Sequence, residues 1–317
     1  MSRETIPLPQ TGGPEQSGLP FWFPTEPKSG IPTRESELIA LIRSAWDYEQ
    51  ARQEYGREAW MDLRSEKSRE DFFRRIRTPK YLDAFIKETK TNNHNLFKLF
   101  QKAAIGQAIS ARLEIGASAV GPGHADKSAV FPMLLAEHRK RGQIGRLSGY
   151  VGEAIAGQLI RRSKWEARYP TPALDALLGF DRVAYHPATH SWRIIQCKSD
   201  NRLTVPFAVA GQSDFGQLER VLSRHFEEKP ESAEQPATPR RPSPEETIRD
   251  FKVPLKDIAT TCAILEKQYP GNTIMPMLIM TAGIGSKAYT ESTDPSTGLL
   301  RDDFRGMIDF DTNREIS

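Results

Sequence analysis

Three polar residues near the middle of the chain have the types and the spacing to hold a metal ion. Gln196 and Lys198 follow the strand pattern "WRII" in "SWRIIQCKSD", and Asp181 comes earlier, in "GFDRVAYHP". A strand places alternate side chains on one face, so Gln196 and Lys198 are predicted to point the same way and Cys197 the opposite way. A carboxylate and an amide oxygen are hard ligands of the kind that Mg²⁺ prefers.

Asp181 and Gln196 are predicted to lie side by side, because the two strand patterns read as an antiparallel hairpin joined through the short loop "HPATH". Lys198 could then orient an attacking water or stabilise charge on a phosphate. Glu153 would add a second carboxylate if its helix, "GYVGEAIAGQLI", packs across the strands. The small residues of that helix, Gly152 among them, permit close approach of another backbone.

This arrangement resembles the PD-(D/E)xK nuclease superfamily, in which a helix Glu, a strand Asp and a Glu-x-Lys or Gln-x-Lys on the next strand form the metal site. Glu153 matches the helix acid, Asp181 the central ligand, and "QCK" the final signature. The wording "IIQCK" is similar to the Mrr-like restriction endonuclease branch. Phe180 stands where the usual proline would precede the Asp. Gln217 matches a glutamine that recurs in the following helix of several branches.

The resemblance implies a fold, a reaction and a cofactor. The expected fold is α/β, a restriction-endonuclease-like mixed-sheet core flanked by helices. The expected reaction is hydrolysis of DNA phosphodiesters by Mg²⁺-activated water, with Mn²⁺ as a substitute. Asp181 and Gln196, with Glu153 directly or through water, would hold the metal, and Lys198 would position the nucleophile.

A basic cluster lies just before the helix of Glu153. Four cations of this cluster could neutralise DNA phosphates: Arg139, Lys140, Arg141 and Arg146. The alternative is a solvated helix face. The net charge of the whole chain, +3, is too small to indicate a nucleic-acid partner by itself.

Plainer interpretations of the other residues also stay open. Lys198 could be a solvated residue at the end of a strand. Asp175 is a competing acid, although its place in "ALDALLGF" reads as the surface of a helix or turn. The sequence contains no P-loop and no Gly-x-Ser-x-Gly motif, which gives no support to a nucleotide-driven enzyme or a serine hydrolase.

Composition is that of an ordinary globular protein, with 38% hydrophobic and 27% charged residues among 317. Two cysteines, Cys197 and Cys262, are expected to be reduced core thiols. No apolar run reaches the roughly 18 residues that a membrane-spanning helix needs. We therefore expect no membrane partner and a cytoplasmic location at the point of synthesis.

The chain divides into four predicted parts. Residues 1–33 form a disordered Pro-rich N-terminus, and residues 34–120 a helical subdomain. The nuclease-like domain spans 130–290 with a disordered insertion at about 228–248 rich in Pro, Ser and Glu. Residues 291–317 form a C-terminal tail.

Two biological settings fit such a nuclease. One is restriction or defence against foreign DNA. The other is an antibacterial toxin delivered to another cell, whose partner would be an immunity protein. Double-strand cleavage would suggest a homodimer. The alternative from a different class is a non-catalytic nucleic-acid-binding or assembly protein that retains a nuclease-like fold.

Overall fold

The structure is a computed structural model that describes residues 40, 65–75, 79–118, 130–211, 224, 244–311 and 314–316. The predicted Pro-rich N-terminus, most of the insertion at about 228–248 and Gln217 lie outside these residues. The helices are α1 (Glu66–Arg75), α2 (Pro79–Asn92), α3 (His94–Ser118), α4 (Val130–Lys140), α5 (Ile144–Arg162), α6 (Pro172–Leu178), α7 (Pro244–Gln268) and α8 (Lys287–Ser292). The strands are β1 (Glu166–Arg168), β2 (Arg182–His186), β3 (Ser191–Asp200), β4 (Phe207–Gly211), β5 (Thr273–Ala282), β6 (Met307–Asp309) and β7 (Arg314–Ile316).

The central element is a five-stranded mixed sheet in the order β1, β2, β3, β5, β4. β1, β2 and β3 pair antiparallel, β3 and β5 pair parallel, and β4 pairs antiparallel with β5. β6 and β7 form a separate two-stranded sheet. The chain is therefore α/β, as the alternation of helical and strand patterns predicted.

The hairpin predicted on either side of "HPATH" is confirmed. β2 and β3 pair from Arg182 opposite Ile195 to His186 opposite Ser191. His190, at the end of the turn, has a φ of 49°, a conformation that a non-glycine residue adopts uncommonly and mostly in turns. This register fixes the position of the residues before β2 relative to those in the second half of β3.

Apolar side chains cover both faces of the sheet. On one face, α5 contributes Val151, Ile155 and Leu159 to a cluster that includes Ile195 and Ile279. On the other face, buried residues of α6 and α7 pack against β2, β3 and the aromatic side chains of α1: Leu174, Leu177, Ile258, Leu265, Val183, Trp192, Phe72 and Phe73. The strand patterns without alternation follow from this burial on both sides.

Small residues bring α5 close to the strands, as predicted. At Gly152, an added Cβ would collide with the side-chain oxygens of Ser199 on β3 and Thr281 on β5. Ser199 Oγ also donates to the carbonyl oxygen of Ser148, at 2.7 Å. α5 thus lies directly across the middle of the sheet, which is the position required for Glu153 to approach the hairpin.

The described helices of the N-terminal region pack on the same body. α3 lies against both α5 and α6, and Arg69 of α1 forms an ion pair with Asp257 of α7 at 2.8 Å. At the other end of the chain, Leu299, Leu300 and Phe310 are buried in the cluster beneath α5. The division into domains remains a prediction.

Two further expectations concern cysteine chemistry and membranes. Cys197 and Cys262 are free and buried, which confirms that they are core thiols. Within the described ranges, none of the helices combines the length and the apolar character needed to cross a bilayer.

Candidate active site

A cavity of about 510 Å³ opens where α3, α5 and α6 meet the start of β2 and the second half of β3. Its polar lining consists of Lys102, Gln107, Arg146, Tyr150, Glu153, Asp175, Asp181, Gln196, Lys198 and Asp257. The structure therefore brings together the four residues that the sequence assigned to one catalytic site. The volume of the cavity is within the range of ligand-binding pockets, and its titratable side chains make it the candidate site among the described residues.

Asp181 is held at the mouth of the hairpin by backbone and side-chain hydrogen bonds. Its own N–H donates to Ile195 O at 2.9 Å, which continues the pairing with β3 by one residue. Its carboxylate oxygen Oδ2 accepts hydrogen bonds from Gln196 Nε2 and from the backbone N–H of Cys197, both at 2.7 Å. Asp181 and Gln196 are thus side by side, as expected.

One detail of that pair differs from the expectation. The amide nitrogen of Gln196, and not its amide oxygen, meets the carboxylate of Asp181. A carboxylate attracts an N–H donor and repels another oxygen, so this orientation is the favourable one for the pair alone. A half-turn of the amide exchanges the two atoms and would present the oxygen instead.

The predicted alternation of side chains on β3 is confirmed. Gln196 and Lys198 both line the cavity, whereas Cys197 packs in the apolar cluster beneath α5. Gln196 is buried and Lys198 is half-buried. The amide and the ammonium therefore reach the same space from alternate positions of one strand.

Glu153 reaches the cavity from the middle of α5. Its carboxylate oxygen Oε2 accepts a hydrogen bond from Ser110 Oγ of α3 at 2.7 Å. Its backbone carbonyl accepts from the guanidinium of Arg182, the residue after Asp181. The acid is therefore fixed by two different elements, one at its side chain and one at its backbone.

Asp175 is a third carboxylate in the cavity, where it is half-buried, whereas its sequence context suggested an exposed helix or turn surface. It lies in α6, and its Oδ2 accepts a hydrogen bond from Gln107 Nε2 of α3 at 2.8 Å. α6 ends at Gly179, whose φ of 69° is in the left-handed region that glycine adopts freely. That turn directs the chain back toward Asp181, so two acids border one cavity.

Burial shifts the carboxyl groups of Glu153, Asp175 and Asp181 toward their neutral forms, and the charge of Asp181 adds to this effect at the other two. Burial, reinforced by Asp181 and Asp175, raises the pKa of Glu153 well above its usual range. Burial and the charge of Asp181 raise the pKa of Asp175 to about 8. Burial also raises the pKa of Asp181, against the opposing effects of Lys198 and of the hydrogen bonds from Cys197 and Gln196. Strongly perturbed acids in a cleft are typical of functional sites.

The predicted basic cluster divides into residues with different surroundings. Arg146 lines the cavity. Arg139 and Lys140 are exposed at the end of α4 and are not among the cavity residues. Arg141 forms an ion pair with Glu137 at 2.8 Å. Lys102 of α3 lines the cavity as well, and the sequence did not single it out.

The contribution of α3 to the site was missed at the level of sequence, although a signal for it exists. Gln107, Ser110 and Glu114 are spaced so that they lie on one face of a helix that is otherwise rich in small and apolar residues. Gln107 donates a hydrogen bond to Asp175, and Ser110 donates one to Glu153. A polar stripe on an apolar helix can indicate contact with a buried polar site, and here it does.

The donor set of the cavity can be compared with what a divalent cation requires. Among the described residues, no group of three or more His, Cys, Asp and Glu side chains forms a metal-binding arrangement. Mg²⁺, however, keeps several waters and is usually held by one or two carboxylates. The oxygens of Glu153, Asp181 and Gln196 are of the right type, and a cation would relieve the repulsion between the two acids, whose pKa values are raised. The residues fit Mg²⁺ by their chemistry.

Comparison with known proteins adds nothing to the assignment. No protein-family model, no curated protein and no solved structure matches the chain. The interpretation of the cavity rests on its own residues and their geometry.

Proposed function

We propose that the protein is a Mg²⁺-dependent nuclease that hydrolyses phosphodiester bonds, most readily those of DNA. The observation that carries the proposal is the meeting of Glu153, Asp181, Gln196 and Lys198 in one cavity. These four residue types, from a helix, the start of one strand and alternate positions of the next, are those by which the sequence resembles the PD-(D/E)xK nucleases.

The architecture supports the same proposal. In that superfamily the catalytic hairpin belongs to a mixed sheet that is flanked by helices. This chain has a mixed five-stranded sheet with α5 on one face and α7 on the other, and β5 is parallel to β3. A restriction-endonuclease-like core is therefore part of the proposal.

In the proposed site, Asp181, Gln196 and Glu153 would hold the metal, and Mn²⁺ would substitute for Mg²⁺. The bound cation supplies Lewis-acid chemistry, which neutralises charge on a phosphodiester and makes water more acidic. Asp181 is kept in place by its bonds to Gln196 Nε2 and Cys197 N. Ser110 similarly restricts the carboxylate of Glu153.

Lys198 would act on the reacting groups themselves. Its ammonium group lies on the same strand face as Gln196 and lines the same cavity. There it can hold the attacking water by a hydrogen bond and stabilise the negative charge that develops on the phosphate. Lys102 and Arg146 at the cavity would neutralise neighbouring phosphates of the nucleic acid.

Metal-dependent cleavage by the wild-type protein tests the proposed function. The purified protein is incubated with supercoiled plasmid, single-stranded DNA and RNA, each in Mg²⁺, in Mn²⁺ and in EDTA. We expect nicking or linearisation of the plasmid that depends on the metal and is absent in EDTA. Binding that persists in EDTA, with no cleavage of any substrate in either metal, would instead support a non-catalytic nucleic-acid-binding protein.

The biological setting can be tested separately. A DNA-degrading toxin would kill an expressing host, and co-expression of an immunity protein would rescue growth. A restriction or defence enzyme would instead reduce infection by foreign DNA. In both settings we propose DNA as the partner, with a homodimer as the form that cuts both strands.

A further inference from the structure

A buried ion pair lies behind the cavity. The Arg182 side chain is fully buried, the Glu114 side chain is 1% exposed, and Arg182 Nη2 contacts Glu114 Oε1. The hydroxyl of Tyr169 donates to Glu114 Oε1 at 3.1 Å, and the centre of its ring lies 3.7 Å from the guanidinium carbon of Arg182. Arg161 contacts the other oxygen of Glu114.

This pair is connected to the elements that carry the acids of the site. Arg182 immediately follows Asp181, and its Nε and Nη2 donate to the backbone carbonyl of Glu153 at 3.1 and 3.2 Å. Glu114 lies on α3 one turn after Ser110, whose hydroxyl bonds the Glu153 carboxylate. The pair therefore joins β2, α5 and α3 at one point, next to the cavity and outside its lining.

We propose that Arg182 and Glu114 are positioning residues, which set the distance between the carboxylates of Glu153 and Asp181 at which a divalent cation is bound. The inference rests on the proposed function. Arg182 fixes the backbone of Glu153 relative to that of Asp181. Glu114 holds the guanidinium in place and keeps α3 at the distance where Ser110 restricts the Glu153 side chain.

The positioning role of the ion pair can be tested separately from its contribution to the stability of the fold. Taking two charges out of water is costly, and apolar residues of similar volume can often replace a buried ion pair without loss of stability. Removal of one partner alone leaves an uncompensated charge and is damaging. A double apolar replacement therefore removes the guanidinium from Glu153 and can leave the fold intact.

The test compares wild type, the double variant Glu114→Leu with Arg182→Met, and the control Arg193→Met. Arg193 is also a buried arginine that donates to a backbone carbonyl, that of Phe310 at 3.0 Å, but it is not among the cavity residues. Mn²⁺ affinity is measured by paramagnetic resonance titration without DNA. DNA affinity is measured in EDTA, and cleavage is measured in single turnover with Mg²⁺ varied.

We expect the double variant to unfold cooperatively and to bind DNA in EDTA as the wild type does. Its Mn²⁺ affinity should fall about 10- to 100-fold, as it does when groups that orient metal ligands are lost. Cleavage should fall about 100-fold at fixed Mg²⁺, and high Mg²⁺ should recover part of it, since misplacement of about 1 Å has such an effect. The Arg193→Met control should keep the Mn²⁺ affinity of the wild type.

Unchanged Mn²⁺ affinity and cleavage in a folded double variant would overturn the inference and leave the nuclease proposal standing. If the double variant does not fold, the Mn²⁺ affinity of Arg182→Lys tests the same inference. Lysine keeps the positive charge but lacks the two N–H groups that reach Glu153, so weaker Mn²⁺ binding is expected, and wild-type affinity contradicts the inference. A wild-type protein that neither binds Mn²⁺ nor cleaves DNA overturns both proposals.

Discussion

At the scale of single residues, Asp181 is the centre of the proposed site because it accepts two hydrogen bonds and raises the pKa of both Glu153 and Asp175. Asp181→Asn preserves an oxygen that can accept from the backbone of Cys197 while removing the charge. We expect metal-dependent cleavage to fall by about 10²- to 10³-fold, the usual effect of losing one preorganised electrostatic group.

The same substitution should separate metal binding from stability. Burial raises the pKa of Asp181 in the folded protein, so its ionised form is disfavoured there and a neutral asparagine removes the cost of burying that charge. Thermal unfolding in EDTA should therefore give a Tm no lower than that of the wild type. Addition of Mg²⁺ should raise the Tm of the wild type alone, because only a state that binds the cation gains stability. An equal Mg²⁺ effect on the variant would contradict the assignment of Asp181 as a ligand.

Asp175 gives a prediction that depends on pH. Its pKa is about 8 in the folded protein and near 3.9 when unfolded, so the folded state binds the extra proton between these values. Stability from this group is complete below about pH 4 and is lost as the pH rises toward 8. Asp175→Asn should flatten that decline and give a Tm about 2–4 °C above the wild type at pH 8.

The Asp175 prediction is checked by thermal unfolding in EDTA at several pH values between 5 and 9. The amide oxygen of the introduced asparagine can still accept the hydrogen bond from Gln107, so loss of that contact is not expected. Asp303, an exposed acid in a turn outside the cavity, offers a matched control as Asp303→Asn. If the Tm of wild type and of Asp175→Asn changed with pH in the same way, the pKa of Asp175 would not be raised in the folded protein.

At the scale of elements, the sequence predicted the parts of the site that follow a regular period. Alternation along "IIQCK" placed Gln196 and Lys198 together, and the hairpin loop set their register with Asp181. β1 and β4 were not predicted, because β1 is three residues long and β4, "FAVAG", is short and contains alanine and glycine. Such segments become strands because they pair with a neighbouring strand, and the residue types of the segment alone do not reveal that pairing.

The role of Asp175 was missed for a related reason. A helix of seven residues with one acid has no periodic signal to show which neighbour it faces. Its position depends on the packing of α6 against α3, a contact between residues far apart in the chain. Gln107 and Ser110 were likewise visible as polar residues of a helix, but their partners were not.

Gly157 lies where α5 packs closely against α3 and β2, and this close packing can be tested by substitution. An added Cβ there would collide with the guanidinium of Arg182 and the carboxylate of Glu114, both buried. Gly157→Ala should therefore destabilise the protein by about 1–3 kcal/mol, the usual cost of overpacking. Gly149→Ala lies in the same helix, and no atom of the described residues comes within 4 Å of its added Cβ, so this change should instead stabilise by about 0.5–1 kcal/mol.

Denaturant unfolding of the two glycine variants measures this difference, with the metal removed by EDTA so that binding makes no contribution. Equal stability of Gly157→Ala and Gly149→Ala would show that α5 does not approach the ion pair as closely as described. A lower stability for Gly157→Ala alone agrees with the close crossing.

At the scale of the whole molecule, the net charge of +3 is small, so binding of DNA depends on where individual cations lie. Lys102 and Arg146 line the cavity, whereas Arg141 is engaged with Glu137. Lys102→Ala and Arg146→Ala should each weaken DNA binding in EDTA and reduce the slope of log K against log salt by about 1. Arg141→Ala should change that slope less. Slopes that do not change for either cavity cation would move the DNA path away from this opening.

The proposed function depends on DNA cleavage by the residues at the end of β3. One comparison of variants measures it. Single-turnover cleavage of supercoiled plasmid in Mg²⁺ is followed for wild type, Lys198→Ala and Lys287→Ala. Lys287 is an exposed lysine of α8, outside the cavity lining, and is the matched control. We predict wild-type rates for Lys287→Ala and a loss of about 100-fold or more for Lys198→Ala with its fold intact. Cleavage by Lys198→Ala at the wild-type rate would contradict the proposed site.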